Sequence, residues 1–332
     1  MDSKIDDGST AGIAIRTENI GFRPEEMIAC GACGKANPPN RLACLYCAGQ
    51  LNAPVAAKVQ LKLRQLENWE KGYNLIIIPR STVLPENAIT EISSLLSFDA
   101  NSIGALYERG NPFPAARLET TRQTEVAEAK LAELGVDSLT VSDEELAAER
   151  PPVRLRAIEF TDDALILIPF NPGPEIEVLV AELRLIVTGA IFESKTETTN
   201  RRKSGKYKSV DEILTSNDQP VIDFYTNVDR IGYRIRSGGF DFSCLGSEKT
   251  ILATENVTRL VSKLAGIAPA AKLVVDYLSR QKEFSLVWET QTRNDSHGVR
   301  RTGLGQINVS NVASSNNLQQ FTKYSRLQRH LL

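Results

Sequence analysis

From residue 73 to 141 the apolar residues alternate between two spacings, one of strand type and one of helix type. Residues 73–79 are a short apolar run ended by Pro79 and read as a strand. Pro85 and Glu86 open a helix in which Ile89, Ile92, Leu95 and Leu96 recur at intervals of three and four. Asp99 suits the N-cap of a second short helix carrying Ile103, Leu106 and Tyr107, which Gly110-Asn111-Pro112 stops. Phe113–Leu118 reads as a strand. Thr121, followed by Thr124 and Glu125, opens a third helix through Val126, Ala129 and Leu134. Gly135 then stands where a helix-ending glycine belongs, and residues 136–141 form the last strand. The predicted order is β-α-α-β-α-β.

Beyond a stretch rich in acids and closed by two prolines, read as a linker over 143–152, the pattern changes to strands. Residues 153–160, 164–170, 175–194, 220–225 and 231–237 are strand-like and separated by turn residues such as Asn171-Pro172-Gly173-Pro174. The 175–194 run is long for one strand and predicts a break. Residues 240–245 add a further strand, and 253–264 form an amphipathic helix with Val257, Leu260, Val261 and Leu264 on one face. A curled antiparallel sheet or small barrel with one capping helix follows. A second helix is expected over about 270–284. The stretch from 290 to 332, rich in Asn, Ser, Gln and Arg, reads as irregular with a short helix at 321–331. Before residue 73 the patterning is weak. Residues 1–26 read as a flexible tail, 27–52 hold paired cysteines, and 53–72 are a connector that suits a strand and a helix equally. The fold class is multidomain α+β, with domains at 27–52, 73–142 and 153–266 and a helix plus irregular tail at 267–332.

Composition narrows the function. An apolar content of 42% and a charged content of 24% are those of a folded chain, and 332 residues suit two or three domains. The net charge of -2 gives no general attraction to nucleic acid or anionic membrane, so any such binding needs a local patch. The acidic, polar start lacks a secretory pattern, and no run reaches the roughly 18 apolar residues of a membrane span. The expectation is a cytoplasmic protein with reduced thiols, whose five cysteines are metal ligands plus one buried thiol, Cys244. Two histidines, His297 and His330, leave little for histidine catalysis. Nucleophile-elbow, phosphate-loop and dinucleotide motifs are missing, and Asp143-Glu144-Glu145 and Asp162-Asp163 read as linker and turn acids. A non-enzymatic protein is expected.

Cys30-Gly31-Ala32-Cys33 and Cys44-Leu45-Tyr46-Cys47 are two C-x2-C pairs separated by ten residues. Each such turn folds two sulfurs onto one ion, and two turns complete a tetrahedron. Four thiolates leave no open position, which predicts structural rather than catalytic zinc. The presence of two pairs, without a βαβ setting, disfavours a redox motif. The segment resembles the short zinc ribbons at the ends of many bacterial and archaeal proteins, with a polar Asn-Pro stretch between the knuckles and a closing apolar Leu51. It departs from them at Ala48, where a glycine often follows the last cysteine.

The element order over 73–142, closest along ETTRQTEVAEAKLAELGVDSLTV at 119–141, resembles the fold shared by the ribosomal stalk protein C-terminal domain and the ClpS adaptor. The stalk domain recruits factors through a basic helical surface, but the matching helix here has only Arg109. ClpS uses a pocket histidine, and both histidines here lie elsewhere, so the resemblance implies a small interaction domain. The strands and helix of 153–266 resemble a pleckstrin-homology (PH-like) domain. Within them Lys195, Arg201, Arg202, Lys203, Lys206 and Lys208 crowd a segment with one acid, Glu197, expected to be a flexible loop or hairpin tip and a candidate anion-binding site. The expected function is a zinc-binding adaptor or scaffold with a protein partner. The alternative is a binder of nucleic acid or phospholipid acting through the ribbon, with Lys35 and Arg41, and the 195–208 segment.

Overall fold

The computed structural model describes residues 27–38, 41, 43–51, 63, 66–67, 69–80, 83–203, 206–228, 231–303 and 306–332, and only the backbone over 199–203, 206–212, 296–303 and 306–310. The predicted tail over 1–26 and most of the predicted connector over 53–72 lie outside the described residues. The chain divides into two compact units, Met1–Lys62 and Leu63–Leu332.

The first unit contains β1 (Ile28–Ala29) and β2 (Ala36–Asn37), which pair antiparallel with Ile28 opposite Asn37. An isolated bridge joins Ala43 and Gln50. Among its described residues, Cys30, Cys44 and Leu51 form the buried cluster.

The second unit begins with β3 (Tyr73–Ile78), α1 (Glu86–Leu96), α2 (Ala100–Glu108), β4 (Phe113–Leu118), α3 (Thr121–Glu133) and β5 (Asp137–Ser142), in the β-α-α-β-α-β order. The three strands form an antiparallel sheet in the order β4-β3-β5. Local chemistry sets the helix ends. Asp99 accepts a hydrogen bond from the Ser102 N–H at 2.8 Å and caps α2. Thr120 and Gln123 form a reciprocal capping box on α3. Gly135, at φ 73°, lets the Val136 N–H reach the Leu131 carbonyl and the Gly135 N–H reach that of Ala132, a Schellman ending.

The rest of the unit comprises α4 (Asp143–Leu146), β6 (Val153–Phe160), β7 (Ala164–Pro169), β8 (Ile176–Leu179), β9 (Leu183–Lys203), β10 (Lys206–Thr226), β11 (Tyr233–Arg236), α5 (Ala253–Ile267), β12 (Lys272–Val274), α6 (Tyr277–Phe284), β13 (Gln291–Gly303), β14 (Gln306–Asn316) and α7 (Leu318–His330). The strands form one large curled half-barrel sheet in the order β13-β14-β9-β10-β11-β6-β7-β8, with β12 pairing in parallel to β9. The expected break in 175–194 is the 3-10 turn Val180–Glu182 between β8 and β9.

β9 and β10 bury both faces, which explains their continuous apolar runs. Ile186, Ile222 and Phe224 face a core that includes Val257, Leu260 and Leu264 of α5. Leu185, Val187, Val221 and Tyr225 belong to a second core with Tyr277, Phe284, Trp288, Phe321, Tyr324 and Leu327. Ile76 of β3 and Val141 of β5 enter that same second core.

Four expectations are corrected. Residues 143–152 are not a free linker. Leu146 is fully buried in the second core, and Arg326 of α7 donates to the carbonyls of Leu146, Ala147, Arg150 and Ile231. Residues 290–332 are not irregular, because β13 and β14 extend the sheet and α7 seals a core. The polar composition of that hairpin hid it, since its order comes from main-chain pairing with β9. Residues 240–245 are not a strand: Asp241 accepts from the Ser243 N–H and caps a 3-10 segment, Phe242–Glu248. The expected 270–284 helix is split into β12 and α6.

One buried ion pair ties the sheet to α7. Arg234 and Asp223 face each other across β11 and β10, with two hydrogen bonds of 2.7 Å, and Arg234 also donates to Thr322 Oγ1 at 3.1 Å. Both members are essentially inaccessible to solvent.

Candidate metal centre

The two cysteine turns are built to one plan. The Gly34 N–H donates to the Cys30 carbonyl at 2.7 Å and the Cys30 N–H to the Lys35 carbonyl at 3.0 Å. In the second turn the Ala48 N–H donates to the Cys44 carbonyl at 3.0 Å and the Cys44 N–H to the Gly49 carbonyl at 2.8 Å. Gly34 and Ala48 hold equivalent left-handed positions, φ 70° and 56°. At Gly49 the two turns pack closely, since a Cβ there would lie 3.3 Å from Cys47 Sγ and 3.4 Å from Ala32 Cβ.

These turns bring Cys30, Cys33, Cys44 and Cys47 together, with all four Sγ atoms within 4.8 Å of one another. Cys30 and Cys47 are 3.6 Å apart and Cys33 and Cys44 are 3.5 Å apart, well beyond the roughly 2.05 Å of a disulfide. All four are free thiols. Corners of a tetrahedron with metal–sulfur bonds of about 2.3 Å lie roughly 3.8 Å apart, so the cluster can hold one metal ion. The N–H groups of Cys33 and Ala32 lower the Cys30 thiol below its ordinary value. Burial pushes Cys44 up, but the N–H groups of Tyr46 and Cys47 and the Asn37 amide outweigh it and bring it down to about 6. At Cys47 the Gly49 N–H favours the thiolate, yet the three neighbouring sulfurs prevail and raise it to about 12. Four thiolates this close need a cation between them.

Asn37 is the functional residue that ligand spacing misses. Fully buried, it donates from Nδ2 to Cys44 Sγ at 3.4 Å and to the Lys35 carbonyl at 2.8 Å, and its Oδ1 accepts from the Leu45 N–H at 2.8 Å. It thereby locks one knuckle to the other and supports the candidate ligand Cys44. Its signal was the Asn-Pro stretch of the spacer.

Of the two forms expected for the basic segment, a flexible loop or a hairpin tip, the structure shows the hairpin. Residues 195–203 and 206–208 lie in β9 and β10, with Lys203 opposite Lys206 at the turn. The side chains of Arg201, Arg202, Lys203, Lys206 and Lys208 lie outside the described ones. Lys195 is set apart from them. It lies six residues back, about 20 Å along the strand, and is 4.0 Å from Glu197.

Asp143, read as a linker acid, lies at a cavity of about 590 Å³ lined also by Trp69, Arg117, Glu149, Gln291 and Lys323. It accepts hydrogen bonds from the Gly72 N–H, Arg117, Asn74 and Lys323, at 2.6–3.1 Å. Burial raises its pKa, but Lys323 and Arg117 outweigh it and hold the carboxyl at about 2. With four donors on two oxygens, it is engaged as a structural anion. Cys244 is half-buried, and desolvation pushes its thiol up, as for an inert thiol. No family model, curated protein or solved structure matches this chain. No helix among the described residues is long and apolar enough to cross a membrane.

Proposed function

We propose that this chain is a non-enzymatic adaptor or scaffold protein of the cytoplasm, whose N-terminal unit is a zinc ribbon that presents a docking surface to a protein partner. The observation that carries the proposal is the closed cluster of four thiols, whose all-sulfur donor set suits zinc and leaves no coordination position for a substrate. Zinc would be held by Cys30, Cys33, Cys44 and Cys47 and would supply the bonds that fold the unit. Leu45 and Tyr46, between the ligands of the second knuckle, are 52% and 59% exposed, and Lys35 Nζ lies 4.4 Å from the Tyr46 ring centre. An apolar pair on a metal-stiffened turn suits a protein contact. The non-enzymatic part is supported by the saturated Asp143 and the inert Cys244. Within this proposal the stalk-like and PH-like modules act as interaction domains.

The test combines metal analysis with capture. One zinc per chain is expected, released by a thiol-modifying reagent and lost in Cys44→Ser. A Leu45→Ser/Tyr46→Ser variant is expected to keep its zinc and lose a partner that the native chain retains from lysate in high salt. Zinc-free native protein, or turnover dependent on residues outside the ribbon, would overturn the proposal.

A further inference from the structure

The sheet register brings together two basic segments that lie a hundred residues apart. Arg201-Arg202-Lys203 ends β9, and Arg300-Arg301 lies near the end of β13. Each precedes the turn of its own hairpin. The two hairpins are joined edge to edge by β14 and β9, so their turns lie at the same end of one four-stranded antiparallel array, β13-β14-β9-β10.

Three consecutive registers define that end. The outermost aligns Gly303, Gln306, Lys203 and Lys206. The next aligns Arg301, Ile307, Arg202 and Tyr207, and the third Arg300, Asn308, Arg201 and Lys208. Seven of these twelve positions are basic and none is acidic. Acids return farther along the same strands, at Asp211, Glu212, Glu197 and Asp295. Successive registers of a strand belong to opposite faces, and every second register returns to the same one. The first and third registers therefore share a face with five basic positions: Lys203, Lys206, Arg300, Arg201 and Lys208. The two registers are about 7 Å apart along the strands, and the four strands span about 14 Å.

We infer that this end of the sheet binds the phosphate backbone of a nucleic acid, and that both hairpins contribute to the site. The inference does not rest on the metal ribbon. Membrane docking is disfavoured by the placement of apolar residues. Ile307 and Tyr207 share the register of the opposite face, whereas the five-cation face carries Gln306 and Asn308. A lipid surface rewards apolar residues beside the cations. Asn and Gln, like Arg and Lys, are among the residue types that contact phosphate and sugar, so their positions on this face suit a sugar–phosphate chain. The net charge of -2 makes the effect local, so binding is expected to depend steeply on salt.

The experiment is fluorescence anisotropy of the full chain with a labelled mixed-sequence oligonucleotide, as single-stranded RNA, single-stranded DNA and duplex, over a KCl series. Sedimentation with phosphatidylserine vesicles runs in parallel. Binding at low salt is expected, with a log–log salt slope of about -3 to -4 on a single strand for five phosphate contacts. Arg300→Gln/Arg301→Gln is expected to weaken binding roughly tenfold and flatten the slope by about 1, as is Arg201→Gln/Arg202→Gln. The matching Arg→Lys pairs are expected to bind like the native chain, which separates lost charge from lost folding. Absence of binding at low salt overturns the inference, as does binding to vesicles alone. Native affinity in Arg300→Gln/Arg301→Gln with a weakened Arg201→Gln/Arg202→Gln would overturn the two-hairpin site.

Discussion

The two compact units are stabilised by different means. Among the described residues of the first, the buried apolar cluster is Cys30, Cys44 and Leu51, and two of those three are metal-ligand candidates. In the second, two of the clusters among the described residues hold eighteen and fifteen buried residues, on opposite faces of shared strands. At about 25 cal/mol per Å² of apolar area, three small side chains cannot offset the ordering of some twenty residues, each costing about 1–2 kcal/mol. On the zinc-ribbon proposal the first unit would depend on bonds to an ion, whereas the sheet unit depends on burial. One chain can thus lose one unit and keep the other.

The most severe way to break this comparison is to remove the metal. Chelation, or Cys44→Ser, is expected to unfold the ribbon outright, since structural zinc contributes on the order of 10 kcal/mol or more to such units. The thermal transition of the sheet unit should stay where it was. Amide spectra of the labelled chain would show this, and a joint collapse of both units would refute their independence. Next in size is Asp223→Ala, which leaves Arg234 charged in a site closed to water. A loss of about 3–5 kcal/mol is expected in denaturant unfolding, with metal content unchanged. A smaller effect concerns acid. The folded Asp143 carboxyl lies at about 2, below its unfolded value of about 3.9. Its contribution is therefore fully present above pH of about 4 and is lost as pH falls through about 2. It amounts to roughly 1–2 kcal/mol after solvent screening, and Asp143→Asn should remove that part of the pH dependence. The smallest change sharpens the comparison. Ala48→Gly relieves a left-handed alanine at the position Gly34 fills in the other knuckle. A gain of about 0.5–1 kcal/mol is expected, read as tighter metal retention in competition with a chelator.

Local signals carried much of the fold. The cap at Asp99, the glycine at 135 and the apolar strand runs of β6 and β7 are properties of neighbouring residues and could be located without tertiary knowledge, whereas the cap of α3 is Thr120, one residue before the expected opening at Thr121. The four-cysteine cluster was equally local, because each C-x2-C turn carries its own geometry. What escaped was set by distant partners. Asp143 belongs to an acidic run, and nothing near it reveals Arg117 or Lys323. Residues 291–316 are polar enough to read as a tail, and only β9 makes them a sheet. The basic positions at 300 and 301 could not be joined to those at 201–208 without that register.

Arg326 reaches the carbonyls of Leu146 and Ala147 across about 180 residues of chain, and Trp288 Nε1 donates to Asn74 Oδ1 across 214. Contacts of that separation are reached only after very long loops have closed, which costs chain entropy before any burial is gained. Folding of this unit is therefore expected to be slow and to finish late, with Ile76, Val141 and Leu146 exposed until α7 docks. A fragment ending after α4 would display that apolar patch permanently, so the kinetic hazard of the whole chain becomes an aggregation hazard in the part.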